Sequence, residues 1–299
     1  MLSSHAKGLL ITAAGVLIIT PDGLLTRLIQ ADPWTLLFWR SLLSSVSLLL
    51  VLSILYRRQC WARIRAIGLP GLMVAALFGV GGVTFILAIT STTVANTLFI
   101  ASTSPLFAAL ISWRLMGEAV PRRTWIAIVL ALLGIAIIAS QGLAGGSLFG
   151  NLAALTTAIA LACSFSLIRY HKERDLIPAM ALSTVIAALI ALPFATPAAI
   201  SAGDAGWLAV MGLLMLPLAF ALMFIGPRYI PAAEVSLILL LEAILGPFWV
   251  WLVVGEEPGA RTLVGGAIVI VTLSANAALG LRSSRTSGMV PGPVGTAGR

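Results

Sequence analysis

The sequence predicts an all-α membrane protein with ten transmembrane helices, arranged as two inverted five-helix repeats. Three observations predict it: apolar runs of bilayer-spanning length, basic residues confined to alternate loops, and a constant offset between the two halves. Of 299 residues, 60% are hydrophobic and only 9% are charged, whereas a soluble domain carries about 25% charged residues. A soluble fold of this composition would lack the polar surface to cover its core, so its solvent is lipid. The net charge of +8 does not indicate nucleic acid, because the arginines fall in short clusters between long apolar runs. No segment interleaves basic and aromatic residues as a nucleic-acid surface does. Cys60 and Cys163 are too few and too differently placed for a disulfide framework or a metal site.

Runs of about 20 apolar residues cross the hydrocarbon core. They fall at 8–29, 34–55, 67–90, 94–115, 123–141, 149–169, 178–196, 206–225, 232–254 and 261–281. The first is too long for a signal-peptide core and no small-residue cleavage site closes it, so it reads as a retained helix. Turn chemistry marks several short loops: Ala31-Asp32-Pro33, Gly145-Gly146-Ser147 and Gly255-Glu256-Glu257-Pro258-Gly259. The stretch 283–299 is rich in Ser, Gly, Pro and Thr and reads as a disordered cytoplasmic tail.

Lysine and arginine set the orientation. With the N-terminus inside, the cytoplasmic segments hold fifteen basic residues, and the outer loops hold two, Arg27 and Arg261. A missed or spurious helix would scramble that alternation, so it supports the count of ten and puts both termini in the cytoplasm of a bacterium. An offset of 138 residues then aligns Ala95 with Ala233, Phe107 with Leu245, Trp113 with Trp251, and Gly117-Glu118 with Gly255-Glu256. The fourth helix matches the ninth, so the repeat unit is five helices and the second copy enters the bilayer from the opposite side. The division falls at 1–143 and 144–282. Inverted repeats of this kind are typical of secondary transporters, with a site near the midplane where the halves meet.

Leu37-Phe38-Trp39-Arg40, Thr103-Ser104-Pro105-Leu106-Phe107 leading to Gly117-Glu118, and Leu241-Glu242 leading to Gly255-Glu256 together resemble the EamA family of the drug/metabolite transporter superfamily. The resemblance covers residues 8–281, and it rests on the ordered set rather than on any one motif. It implies ten helices, both ends inside, and carrier activity at the inner membrane, most often export of amino acids or other small metabolites. The family often has Glu followed at once by Pro in its second half; here Glu242 precedes Ala243, and the proline comes at Pro247.

Charges deep in a membrane are by default functional. Asp22 and Arg40 lie roughly 10 and 9 Å below the outer face at about 1.5 Å per residue. Opposite charges at matching depth on consecutive helices suggest an ion pair, and fixing the packing of helices one and two is its plainest role. The functional alternative is that Arg40 binds a substrate carboxylate while Asp22 orients or exchanges with it. Pro21 loosens the helix beside them. Glu242 lies roughly 18 Å deep, near the midplane, where no basic residue is expected to reach it. A lone carboxyl in low dielectric favours its neutral form, so Glu242 is a candidate proton or substrate-amine site, set against a neutral acid that merely anchors packing. Its repeat mate is Ser104, which makes the midplane charged on one side and polar on the other. Glu234 reads as a first-turn acid favoured by the helix dipole, Asn96 as a helix-start residue, and the two Gly-Glu pairs as helix stops. Gly79, Gly81 and Gly82 read first as close-packing residues and second as room for substrate. Pro105, Pro193, Pro217 and Pro247 fall within the apolar runs as candidate kinks. Trp34, Trp113, Trp125, Trp207 and Trp251 fit an interfacial belt, while Trp39 and Trp249 fit either the cavity or lipid.

An intramembrane enzyme is the main alternative class. His5 and His171 lie outside the helices, and neither an aspartate-rich diphosphate site nor a Walker A loop is present. No cofactor or metal is implied. The expected partners are the bilayer and a small-molecule substrate, with the chain a monomer or weak homodimer. A channel fits inverted repeats less well than alternating access does, and uptake remains an alternative to export because gradients set direction.

Overall fold

The computed structural model describes residues 3–91, 97, 100–117, 119–139, 147–254 and 260–287. Asn96, Glu118, Gly255, Glu256 and most of the 283–299 stretch lie outside them. Among the described residues all regular structure is helical.

Helix α1 (Ser4–Ile19) is capped by Ser3, whose hydroxyl accepts from the Ala6 amide. It stops at Thr20-Pro21, and a separate helix α2 (Asp22–Leu28) takes over. Helix α3 (Pro33–Tyr56) has Pro33 at its start, where a missing N–H costs nothing, and Asp32 as its cap, accepting from the Trp34 and Thr35 amides. Arg57 ends it with φ 47, an uncommon value for a residue with a Cβ. A short α4 (Cys60–Ala66) leads into α5 (Gly68–Ser91). Next come α6 (Ser104–Leu115), α7 (Arg122–Ala139), α8 (Leu148–Tyr170) and α9 (Ile177–Ala191). Past α6, Gly117 takes φ 64, the left-handed stop expected of that glycine. The eighth apolar run is α10 (Ala202–Ala209), a π-helical stretch over Val210–Met215, and α11 (Leu216–Ile225). The last two are α12 (Ala232–Val254) and α13 (Ala260–Ser287).

Every predicted apolar run contains a described helix. Six spans among the described residues are long and apolar enough to cross a membrane, and Ile177–Ala191 and Leu263–Asn276 are shorter apolar helices. One proline differs from expectation: helix α9 ends at Ala191, so Pro193 lies in the following turn. Pro105 stands just past a turn at Ser102 and Thr103 that parts helical Ile100 and Ala101 from α6, an interruption of the fourth apolar run. Pro217 does interrupt a helix, at the junction of the π-helical stretch and α11.

The packing relates the halves. Helix α5 packs on α8, α1 on α11, α9 on both α3 and α5, α3 on the π-helical stretch, α1 on α12, and α6 on α8. With the ten apolar runs numbered in order, three–six exchanges with eight–one when five is added or subtracted, two–eight with seven–three, and one–nine with six–four. The pairs α3–α9, α6–α12 and α7–α13 map onto themselves. That closed set is what a two-fold relation between halves produces. Each half therefore finds its principal partners in the other. Glycine permits the closest approaches: a Cβ on Gly79 would stand 2.9 Å from the Ser183 carbonyl oxygen, and one on Gly212 would stand 2.6 Å from the Leu43 Cβ.

One end of the bundle gathers the basic loops. The Arg228 guanidinium donates to the carbonyls of Lys172 and Arg174, and Arg123 donates to the Leu279 carbonyl. The N-terminus of α1 lies at this end too, because Gly8 abuts Tyr229 and Ile230. At the other end Asp32, Thr35 and Thr196 form a hydrogen-bonded knot, and the Asp204 carboxylate accepts from the Gln30 amide.

Candidate functional site

A cavity of about 150 Å³ lies between the halves, walled by α1, α2, α3, α5 and α6 from the first and α8, α9, α11 and α12 from the second. One water needs roughly 10–15 Å³ by the same measure, so the space admits a small organic solute or several waters. The ionisable residues among those lining it are Asp22, Arg40 and Glu242, and Ser104 lines it as well. All four predicted site residues thus meet in one place.

The break in helix one explains how. Pro21 supplies no N–H, the helix stops, and α2 restarts at Asp22 packed against α12. Arg40, two turns into α3, reaches it: Nη1 donates to Asp22 Oδ2 at 3.2 Å. Both side chains are shielded, with 3% of Asp22 and 11% of Arg40 exposed. The predicted ion pair is therefore present, and it forms part of the cavity wall. Asp22 Oδ1 and Ser44 Oγ are buried without a protein partner.

One expectation is overturned. Glu242 does not stand beyond the reach of a basic residue: it shares the cavity with Arg40, near enough for the charges of both Asp22 and Arg40 to act on it. Depth along single helices does not say which helices pack together: α1 and α2 both pack on α12, and Arg40 of α3 reaches Asp22, so the three groups line one cavity. Trp249, seven residues beyond Glu242 on α12, donates its indole N–H to Thr20 Oγ1 at 2.8 Å and ties α12 to that break. Trp39 donates to the Pro197 carbonyl, so each of these tryptophans has a protein partner.

Opposite Glu242, Ser104 sits at the first turn of α6, and its hydroxyl faces Ser236 on α12 at 3.4 Å. Sequence reasoning missed the remaining hydroxyls of the lining: Ser41 and Ser44 on α3, Ser102 just before α6, Thr157 on α8, Ser183 and Thr184 on α9, and Ser236. The available signal was spacing, since Arg40, Ser41 and Ser44 fall on one face of a helix. The glycines divide. Gly79 is held against the Ser183 backbone, whereas a Cβ on Gly82 would meet nothing within 4 Å. Gly79 thus has its close-packing role, and Gly82 leaves open space in the cavity wall.

Toward the end that carries the basic loops, the cavity is floored by aromatic rings. Phe78 stands edge-on to Phe165, Phe220 and Phe224 at 6.2, 5.1 and 5.0 Å between centroids. Below them Glu234 keeps its first-turn position on α12, and its carboxylate is also paired, with His5 Nε2 at 2.8 Å and Arg123 Nη2 at 3.7 Å. The dipole alone does not account for this residue.

A polytopic helical membrane protein with a charged cavity between two related halves has the general form of a carrier. The model of the EamA-like transporter family matches residues 6–140 and again 148–276, and the chain belongs to that family. It is similar to the pseudopaline exporter CntI of Pseudomonas aeruginosa, 23% identical over 79% of this chain and 83% of the relative. It is also similar to a protein of Archaeoglobus fulgidus described as an uncharacterized transporter, 25% identical over 81% of this chain and 86% of that one. A solved crystal structure shares the fold at a TM-score of 0.78 and 18% identity, covering 94% of this chain and all of the other.

Proposed function

We propose that the chain is a secondary carrier that exports a small metabolite, an amino acid or a related compound, across a bacterial inner membrane by alternating access. It does so as ten helices in two inverted five-helix units, 1–143 and 144–282, with both termini cytoplasmic, as a monomer or weak homodimer. The observation that carries this reading is the cavity between the halves, with a shielded Asp22–Arg40 pair in its wall and Glu242 beside it. Arg40 has polar capacity beyond its single bond to Asp22 and takes a substrate carboxylate. Asp22 orients Arg40 or exchanges with the substrate for it. Glu242 takes up a proton or the substrate's amine, and Ser104 supplies the polar wall opposite. The exporter named among the relatives supports outward transport, and the two transporter relatives support a carrier over an enzyme.

A substrate screen in proteoliposomes under an imposed pH gradient tests it. Transport driven by the gradient is expected for the natural chain and is expected to be lost in Glu242→Gln, with insertion and monodispersity unchanged. Full gradient-driven transport by that variant, with the same pH dependence, would remove the proton role from Glu242.

A further inference from the structure

The ion cluster beneath the aromatic floor lies outside the cavity and plays no part in the transport chemistry above. It joins three helices: His5 opens α1, Glu234 opens α12 and Arg123 opens α7. Arg123 Nη1 also reaches the Leu279 carbonyl of α13, so a fourth helix is held. Two of these helices come from each half. Glu234 is almost fully shielded, with 4% of its side chain exposed against 16% for His5 and 23% for Arg123. Burying a carboxylate is costly unless it is paired, and removing its partner leaves that cost uncompensated. Opening this end would separate the helix ends and expose the acid, so the pairing holds the end shut. The 138-residue offset places Arg261 at the mate of Arg123 and Asn96 at the mate of Glu234, so the carboxylate is a feature of one copy only.

We propose that Glu234, paired with His5 and Arg123, is a second functional site: the ion-paired gate that closes the cavity toward the face carrying the termini and biases the resting carrier to open the other way. The proposal rests on the carrier reading, because a gate presupposes two access states. Above it, the contacts of Phe78 with Phe165, Phe220 and Phe224 form a dry seal that has to part in the same motion. Glu234 and Arg123 are gating residues in this scheme and do not touch the substrate.

The test needs no substrate. In a chain carrying Cys60→Ser and Cys163→Ser, Ser183→Cys puts one thiol on the cavity wall, and a membrane-impermeant thiol reagent is applied to vesicles of each orientation. With the cluster intact, labelling is expected to be slow from the termini-bearing face and fast from the other. Glu234→Gln is expected to speed labelling from the termini-bearing face by at least about tenfold and to slow it from the opposite face, since the two states share one population. Arg123→Gln, which removes the longer contact, is expected to act in the same direction and serves if Glu234→Gln does not fold. The exchanged pair Glu234→Arg with Arg123→Glu is expected to return labelling toward the original sidedness. Unchanged sidedness in a folded Glu234→Gln or Arg123→Gln protein overturns the gate, as does faster labelling from both faces at once, which is a leak. Flux assays on the cavity residues read the carrier proposal separately: full flux in Glu242→Gln with a sidedness shift in Glu234→Gln condemns the cavity role and leaves the gate, and lost flux in Glu242→Gln with no sidedness shift in Glu234→Gln condemns the gate and leaves the cavity role.

Discussion

At the scale of single residues, the Asp22–Arg40 pair makes the clearest energetic statement. Each group is shielded, so losing either partner strands the other, a loss of about 3–5 kcal/mol for a buried pair. Asp22→Asn and Arg40→Gln are each expected to lower the unfolding midpoint in detergent, with the double variant recovering part of the loss. A cycle with no coupling between the two positions would refute the pairing. Asp32 makes a different kind of statement at the other end of the molecule. Burial draws its carboxyl upward, yet the hydrogen bonds from Thr35, Thr196 and Trp34 outweigh it and hold Asp32 below the usual carboxylate value. A lowered folded value means that the cap contributes fully above about pH 4 and fades as the pH falls through the folded value. Asp32→Ala is expected to cost about 1 kcal/mol near neutrality, and the deficit against the natural chain is expected to shrink in acid melts. The pair was legible in the sequence because charge is rare in a bilayer and depth can be counted. The meeting with Glu242 was not, because counting depth along single helices does not say which helices pack together.

At the scale of elements, the irregular helices carry the information. Pro217 cannot donate back along its helix, and Ser47 on α3 donates to the carbonyl of Leu213, four residues earlier, at 2.7 Å. A side chain of the first half thus satisfies a carbonyl about one turn before Pro217 in the eighth apolar run. Ser47→Ala is expected to destabilise the fold by roughly 1 kcal/mol, and the effect is expected to shrink in a Pro217→Ala background, where a backbone N–H is restored. Equal cost in both backgrounds would show that the bond does not serve the proline. Gly212 lies in the same stretch, and a Cβ there would meet Leu43 and the Arg40 carbonyl at 2.6 and 3.2 Å. Gly212→Ala is expected to cost about 1–3 kcal/mol by overpacking and to disturb the turn that presents Arg40. Sequence located these helices by their apolar length and located Pro217 as a candidate kink. It gave no sign of the π-helical stretch, because that form depends on what packs against it.

At the scale of the whole molecule, the halves are interleaved, since the principal packing of each lies with the other. Residues 1–143 produced alone are expected to aggregate, and the same segment co-produced with residues 144–299 is expected to yield a single monodisperse complex on size-exclusion chromatography. A stable, monodisperse first half would contradict the packing. The repeat itself, which the family model matches twice, was readable from a constant offset between the halves. Glu234 was read only as a dipole-stabilised acid because its partners are 229 and 111 residues away in the chain, and no local pattern announces them.

The self-mapping pairs α3–α9, α6–α12 and α7–α13 have a consequence for the energetics of a cycle. A motion that exchanged the roles of the halves would leave these three pairs in place and trade each of the other principal contacts for its mate. To first order the two end states are then degenerate, like the two faces of a coin. What tips the balance lies where the copies differ, which is at most positions; those in and beside the cavity include the break at Thr20-Pro21, Glu242 against Ser104, and Glu234 against Asn96. The sum of such differences between the two states sets which face a protein of this kind shows when idle.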